Sequence, residues 1–339
     1  MGNIRSRWVR YRDMGGPRYL GKKENGKFLH VYNPAKPWGV WSQVLGVIAR
    51  CEGRHDTVVM YDETGVTAGA FQWTFKSGRL QRLLQFFKSV PHINFESDLE
   101  TSLFEDFFMT DDGGQVFESF GFRIEGGKFV RVESGKAMHP GVPHQQKTIV
   151  DTCMGRRSLL GYNDERKFAL SLCTLFATLF QEPLVQAAMV EYAKIELKQA
   201  LDVRRKPLKS VGGTINHLIP SETWGSPIPA IFFNLNHNSP AGSYLLYKRA
   251  MEEAAKKGVV LMTNDGYELA GDGYVDETTE DLLEIIWRRL CKSRYADWGF
   301  KSKQYLASKG KNPPRILNIG SAIKEFYGPG SVPPYIGRL

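Results

Sequence analysis

The sequence predicts an α+β protein, mainly α, with one small β-element beside its first helix. Apolar residues three and four positions apart recur in long segments from residue 37 to about residue 294, which is the helical period. One early stretch, residues 57–74, instead gathers β-formers around turn residues. No internal repeat and no low-complexity linker divides the chain.

Residues 1–36 read as an N-terminal segment, irregular or short-stranded, with a possible hairpin turning at Asn25 and Gly26. A helix is expected from Pro37. Trp41, Leu45, Ile48 and Glu52 are four, three and four residues apart, so they share one face. Glu52 then ends an apolar stripe at the negative end of the helix dipole, where a carboxylate should be harder to ionise. Two short strands and a turn follow, with Val58, Val59 and Met60 as β-formers and Glu63, Thr64 and Gly65 as turn residues. The stretch "GRLQRLLQFFKSV" reads as an amphipathic helix with Leu80, Leu83, Leu84 and Phe87 inward.

Residues 91–165 are less regular and read as an insertion or subdomain, with a hairpin centred on Gly126 and Gly127. Residues 164–181 are apolar nearly all round from Phe168, as a buried central helix would be. Pro183 opens the next long helix. Residues 226–258 read as two helices broken at Ser239 and Pro240, the second closed by Gly258. Thr278 and Asp281 give a capping signal for a last helix running to about Arg294. The Pro/Gly-rich tail after Tyr327 should be extended.

A chain of 339 residues with 42% hydrophobic and 24% charged residues is an ordinary globular composition, one large domain or two medium ones. The formal charge of +9 favours anionic partners. Its short basic stretches, at residues 202–210 and 308–315, form no single block, so nucleic acid is not an expected partner. The four cysteines are widely spaced without a C-x-x-C pair, and no histidines have H-E-x-x-H spacing. Neither a metal nor another cofactor is expected, and the thiols should be reduced. No apolar run reaches membrane-spanning length, and the basic N-terminus lacks the apolar core of a secretory signal.

The chemistry is concentrated in "ARCEGRHDTVVMYDETGVTAGAFQWT", residues 49–74. A glutamate at an apolar helix end, followed by an aspartate in a polar turn, separates two carboxyl pKa values, as glycoside cleavage requires. This layout resembles the lysozyme superfamily, and locally the lysozyme-like chitosanases, whose second carboxylate is an aspartate shortly before a Thr-Ala-Gly run. Here Asp62 stands five residues before Thr67, Ala68 and Gly69. The resemblance implies a lysozyme-like helical body over residues 37–339. Glu52 would be the general acid, Asp62 the base or charge stabiliser, and Thr67 a residue holding a water. Gln72 and Trp73 would line the cleft. The Glu52–Asp62 spacing is shorter than in the chitosanases, so Glu63 is the alternative second carboxylate.

A second likeness, to phage-type muramidases, lies in residues 230–250. Asn234 and Asn238 share a helical face there and could bind N-acetyl groups or water. The implied function is a peptidoglycan hydrolase of a phage, monomeric, held in the host cytoplasm before release to the wall or carried in the virion. A chitosanase, a lytic transglycosylase that needs only Glu52, and a non-catalytic virion or wall-binding protein are the alternatives.

Overall fold

A computed structural model of the protein describes residues 7–11, 14–21, 40–60, 66–74, 77–87, 89, 91–94, 99–102, 122–125, 128–131, 137–138, 170, 173–174, 176–203, 213–271, 275–293, 295 and 315–334. It is mainly helical, with small antiparallel sheets. No helix among the described residues is long and apolar enough to cross a membrane. The chain divides into two compact units, Met1–Tyr32 with Glu52–Ala193, and Asn33–Cys51 with Lys194–Leu339. The predicted turn at Asn25 and Gly26 lies outside the described residues, as do Asp62, Glu63 and nearly all of the two basic stretches.

The first unit is built on a five-stranded antiparallel sheet in the order β1 to β5: β1 (Arg7–Tyr11), β2 (Met14–Tyr19), β3 (Val58–Val59), β4 (Thr67–Ala68) and β5 (Trp73–Thr74). The N-terminal strands therefore do not stand apart. Arg18 and Tyr19 pair with Val59 and Val58, so β1 and β2 extend the β-element that the sequence predicted as two strands alone. Its third strand, β5, pairs Trp73 with Ala68. The helix α2 (Arg79–Phe87) buries Leu80, Leu83, Leu84 and Phe87, the inward face read from its periodicity. Two further hairpins follow, β6 (Pro91–Asn94) with β7 (Leu99–Ser102), and β8 (Phe122–Glu125) with β9 (Lys128–Arg131). Glu125 pairs with Lys128 in the second, Gly126 and Gly127 lie outside the described residues, and β10 (Ala137–Met138) adds a third strand.

The core of this unit is aromatic. Phe71 and Trp73 lie 5.2 Å apart, ring centre to ring centre, and Trp73 lies 6.1 Å from Tyr192. Phe180 meets Phe87 and Phe176 edge-on. Gly69 is required at its turn. Its φ is +82°, and a Cβ there would approach Met189 Cε to 2.6 Å and the Trp73 ring to 2.8 Å.

The second unit is a helical body. It contains most of α1 (Val40–Glu52), the later part of α3 (Pro183–Leu201), and α4 (Ile228–Asn238), α5 (Pro240–Lys256), α6 (Val275–Lys292) and α7 (Arg315–Tyr327). Pro183 and Pro240 occupy helix starts, where the missing N–H costs no hydrogen bond. Gly258 follows α5 at φ +70°, the left-handed exit from a helix. In α1, Val44, Leu45, Val47 and Ile48 are fully buried. Phe232 packs edge-on against Phe233 and Tyr247, and the Tyr247 hydroxyl donates to the Ile228 carbonyl at 2.5 Å.

Three expectations for this unit change. The helix α6 begins at Val275, three residues before Thr278, whose hydroxyl donates to Ala270 O at 3.4 Å outside the helix and is not an N-cap within the predicted box. A hairpin not read from the sequence, β11 (Val260–Thr263) with β12 (Gly266–Leu269), turns at Asn264 and Asp265. The tail is preceded by α7, which buries Ile316, Ile319 and Ile323 at helical spacing.

Candidate functional site

Glu52 is the last residue of α1 and is half-buried. The chain after it turns back at once. Thr57 N donates to Arg54 O at 3.1 Å, and Arg54 N donates to Thr57 Oγ1 at 2.9 Å. Thr57 Oγ1 in turn donates to Leu20 O at 3.1 Å, which ties the turn to the end of β2. Gly69 N donates to Thr57 O at 2.8 Å and so draws the β4–β5 corner onto the same turn. A helix end that would otherwise fray is held from two sides.

Gln72 completes this arrangement. It is the non-glycine residue with positive φ among the described residues, at +48°. That conformation costs a side-chain-bearing residue about 1 kcal/mol and marks a place where the surroundings fix the backbone. Its N–H and its side-chain amide both reach Gly69 O, at 3.0 and 3.3 Å. The amide also lies against the residue after Glu52, for a Cβ at Gly53 would sit 3.0 Å from Gln72 Nε2. The turn thus carries a half-buried carboxyl group and a primary amide on neighbouring positions.

Beneath them are polar groups that sequence reasoning did not single out. His55 and Asp56 are fully buried. Tyr19 donates to Asp56 Oδ2 at 3.3 Å, and Gln181 Nε2 donates to the Tyr19 hydroxyl at 3.4 Å. Burial pushes the His55 imidazole down to about 3, so it is neutral at physiological pH. The signal was legible in "EGRHDT": polar residues this dense between a helix and a strand must either face water or satisfy one another.

The remaining site candidates are placed as follows. Thr67 is buried on β4, opposite Val59 and Thr74. Trp73 is fully buried between Phe71 and Tyr192, so it belongs to the core and offers no ring face to a ligand. Asn234 is likewise fully buried in α4 and does not line an open surface, while Asn238 ends that helix half-exposed. Both asparagines belong to the second unit and Glu52 to the first.

No family model, curated protein or solved structure matches the chain. Among the described residues no group of three His, Cys, Asp or Glu could hold a metal ion. Among the described residues, half-exposed tryptophans occur in the second unit. Trp41 of α1 and Trp224 have ring centres 5.0 Å apart and line a shallow pocket with Lys198, Asp202 and Asn216. Apolar rings beside a carboxylate, an amide and an ammonium group are a surface that a sugar ring fits, with one face apolar and its edge rich in hydroxyls.

Proposed function

We propose that the protein is a lysozyme-like peptidoglycan hydrolase that cleaves the β-1,4 glycan backbone, with Glu52 as general acid. The observation that carries this reading is the half-buried Glu52 at the end of α1, on a turn braced by Thr57 and overlaid by the Gln72 amide. A general acid must be held still, reach solvent or substrate on one side, and be shielded on the other. Asp62, in the connection between β3 and β4, supplies the base or charge stabiliser, and Glu63 beside it contacts substrate. Thr67 acts from inside the sheet as a positioning residue. The separation of the two carboxyl groups determines whether configuration is inverted or retained. The Trp41–Trp224 pocket supports a carbohydrate ligand, and the charge of +9 favours an anionic wall over cationic chitosan. Peptidoglycan is the partner, and a phage lysin, released from the host cytoplasm or carried in the virion, is the setting.

Glu52→Gln preserves size and hydrogen bonding but cannot deliver a proton. Wall lysis, followed as turbidity of purified sacculi, should fall at least about a hundredfold, with an unchanged unfolding temperature. Lysis at the wild-type rate would end the assignment and leave a wall-binding role. Asp62→Asn should abolish release of new reducing ends. If it instead leaves an active enzyme whose products carry 1,6-anhydro ends, the reaction is transglycosylation through Glu52 alone.

A further inference from the structure

The second unit has a larger cleft, about 930 Å³, between α5 and α6. Its two helices run antiparallel, since Glu253 near the end of α5 meets Arg288 and Arg289 near the end of α6, while Gly242 near the start of α5 meets Tyr295 just beyond α6. Gly242 is needed there, because any Cβ would collide with the Tyr295 hydroxyl. The described lining carries five cations, Arg249, Lys257, Arg288, Arg289 and Lys292, against the single carboxylate of Glu253.

These charges are of two kinds. Glu253 binds Arg288 at 2.5 Å, Arg289 at 2.6 Å and Lys257 at 3.3 Å. Burial disfavours its charge, but Arg289, Lys257 and Arg288 outweigh that and hold the carboxyl below its ordinary range. It is a permanent anion that braces three cations at one end of the cleft. Arg249 and Lys292 have no ion pair or hydrogen bond with any described residue, and both are exposed. Arg249 stands one helical turn before Glu253, and Lys292 one turn after Arg288 and Arg289. Two uncompensated cations thus flank a cleft whose uncharged lining is Gly242, Leu245, Leu246, Ser293 and Tyr295.

We propose that the α5–α6 cleft binds a phosphodiester chain without bases, a polyol-phosphate or sugar-phosphate polymer, through Arg249 and Lys292. Charge complementarity selects an anion, and the guanidinium fork of Arg249 suits phosphate oxygens. The volume admits a short segment of a single flexible chain. Nucleic acid fits less well. Sequence-tolerant binding of single strands uses exposed aromatic rings to stack bases, and the aromatic residue in this lining, Tyr295, is buried. This inference holds whether or not Glu52 cuts glycan.

The test is binding of the full-length protein to oligo(glycerol phosphate), with oligothymidylate of equal charge as the second probe. The wild type should prefer oligo(glycerol phosphate), and raised salt should weaken binding as counterion release requires. The double variant Arg249→Gln with Lys292→Gln should lose at least about tenfold in affinity, the loss expected when two phosphate contacts go. The control variant Arg82→Gln with Lys324→Gln removes the same charge from exposed positions elsewhere and should lose less than about threefold. Equal affinity of the double variant and the wild type, or equal losses in both variants, would overturn the site. Tighter binding of oligothymidylate would overturn the ligand class. Matching unfolding temperatures for all three proteins show that the comparison reads binding.

Discussion

The turn after Glu52 and the cleft between α5 and α6 are built on opposite principles. Around Glu52 the polar groups are buried and short: His55, Asp56, Thr57 and Thr67 are all nearly or wholly enclosed, and Thr57 alone bonds two separate segments. Around the cleft they are long and solvated, and two of the cations have no partner among the described residues. Side chains enclosed on all sides cannot reorganise cheaply, so they fix geometry. Exposed charges have little fixed geometry but act over a Debye length of about 8 Å at physiological salt. The first arrangement suits a chemical step and the second suits capture of a polymer. The two regions lie in different compact units.

The strongest challenge to this contrast is acid. The unfolded chain takes up a proton on His55 near its ordinary value of 6.5, whereas the native protein resists until about pH 3. Stability should therefore fall as pH drops from about 6.5 toward 3, by on the order of 5 kcal/mol from this group. Denaturant unfolding at pH 7, 5.5 and 4.5 reads the slope, and His55→Gln should flatten it. The window above pH 4.5 separates His55 from Glu253, whose lowered carboxyl contributes only as pH falls below 4.5. An unchanged slope in His55→Gln would mean that the turn is not the closed structure described above.

Trp73→Ala comes next. Removing a fully buried tryptophan should cost about 3–5 kcal/mol of unfolding free energy. A ring lining an open cleft would instead lose substrate affinity with little change in stability, so the two measurements together decide which surface Trp73 belongs to. The smallest effect concerns the other region. Glu253→Gln releases Arg288, Arg289 and Lys257 from their carboxylate and makes the cleft more positive. Oligo(glycerol phosphate) should bind up to about fivefold tighter, the scale of a solvent-exposed ion pair. Weaker binding would show that the brace shapes the site more than its charge opposes the ligand.

Local periodicity and punctuation determined much of the fold. The inward face of α2, the proline that opens α3, the break between α4 and α5 and the pairing of β8 with β9 follow from short-range rules that hold wherever the segment is placed. The hairpin at Asn264 and Asp265 and the helix α7 obey the same rules, with turn residues at 264–265 and isoleucines at helical spacing in 316–323. Of the candidate site, the end of a helix at Glu52 and a β-element after it were legible, because a helical stripe and a cluster of β-branched residues adjoin there.

Which side chains meet was not. Trp73 and Trp41 carry the same ring, yet one is sealed in the core of the first unit and the other stands half-open beside Trp224 in the second. Asn234 and Asn238 share a helical face, yet the first is fully buried and the second half-exposed. Arg249 and Lys292 are 43 positions apart and form no basic run. Composition and spacing determined the helices, their ends and the sign of the charge. Only the tertiary structure decided which residues are covered and which charges are gathered, because burial and long-range contact depend on elements that are distant in the chain.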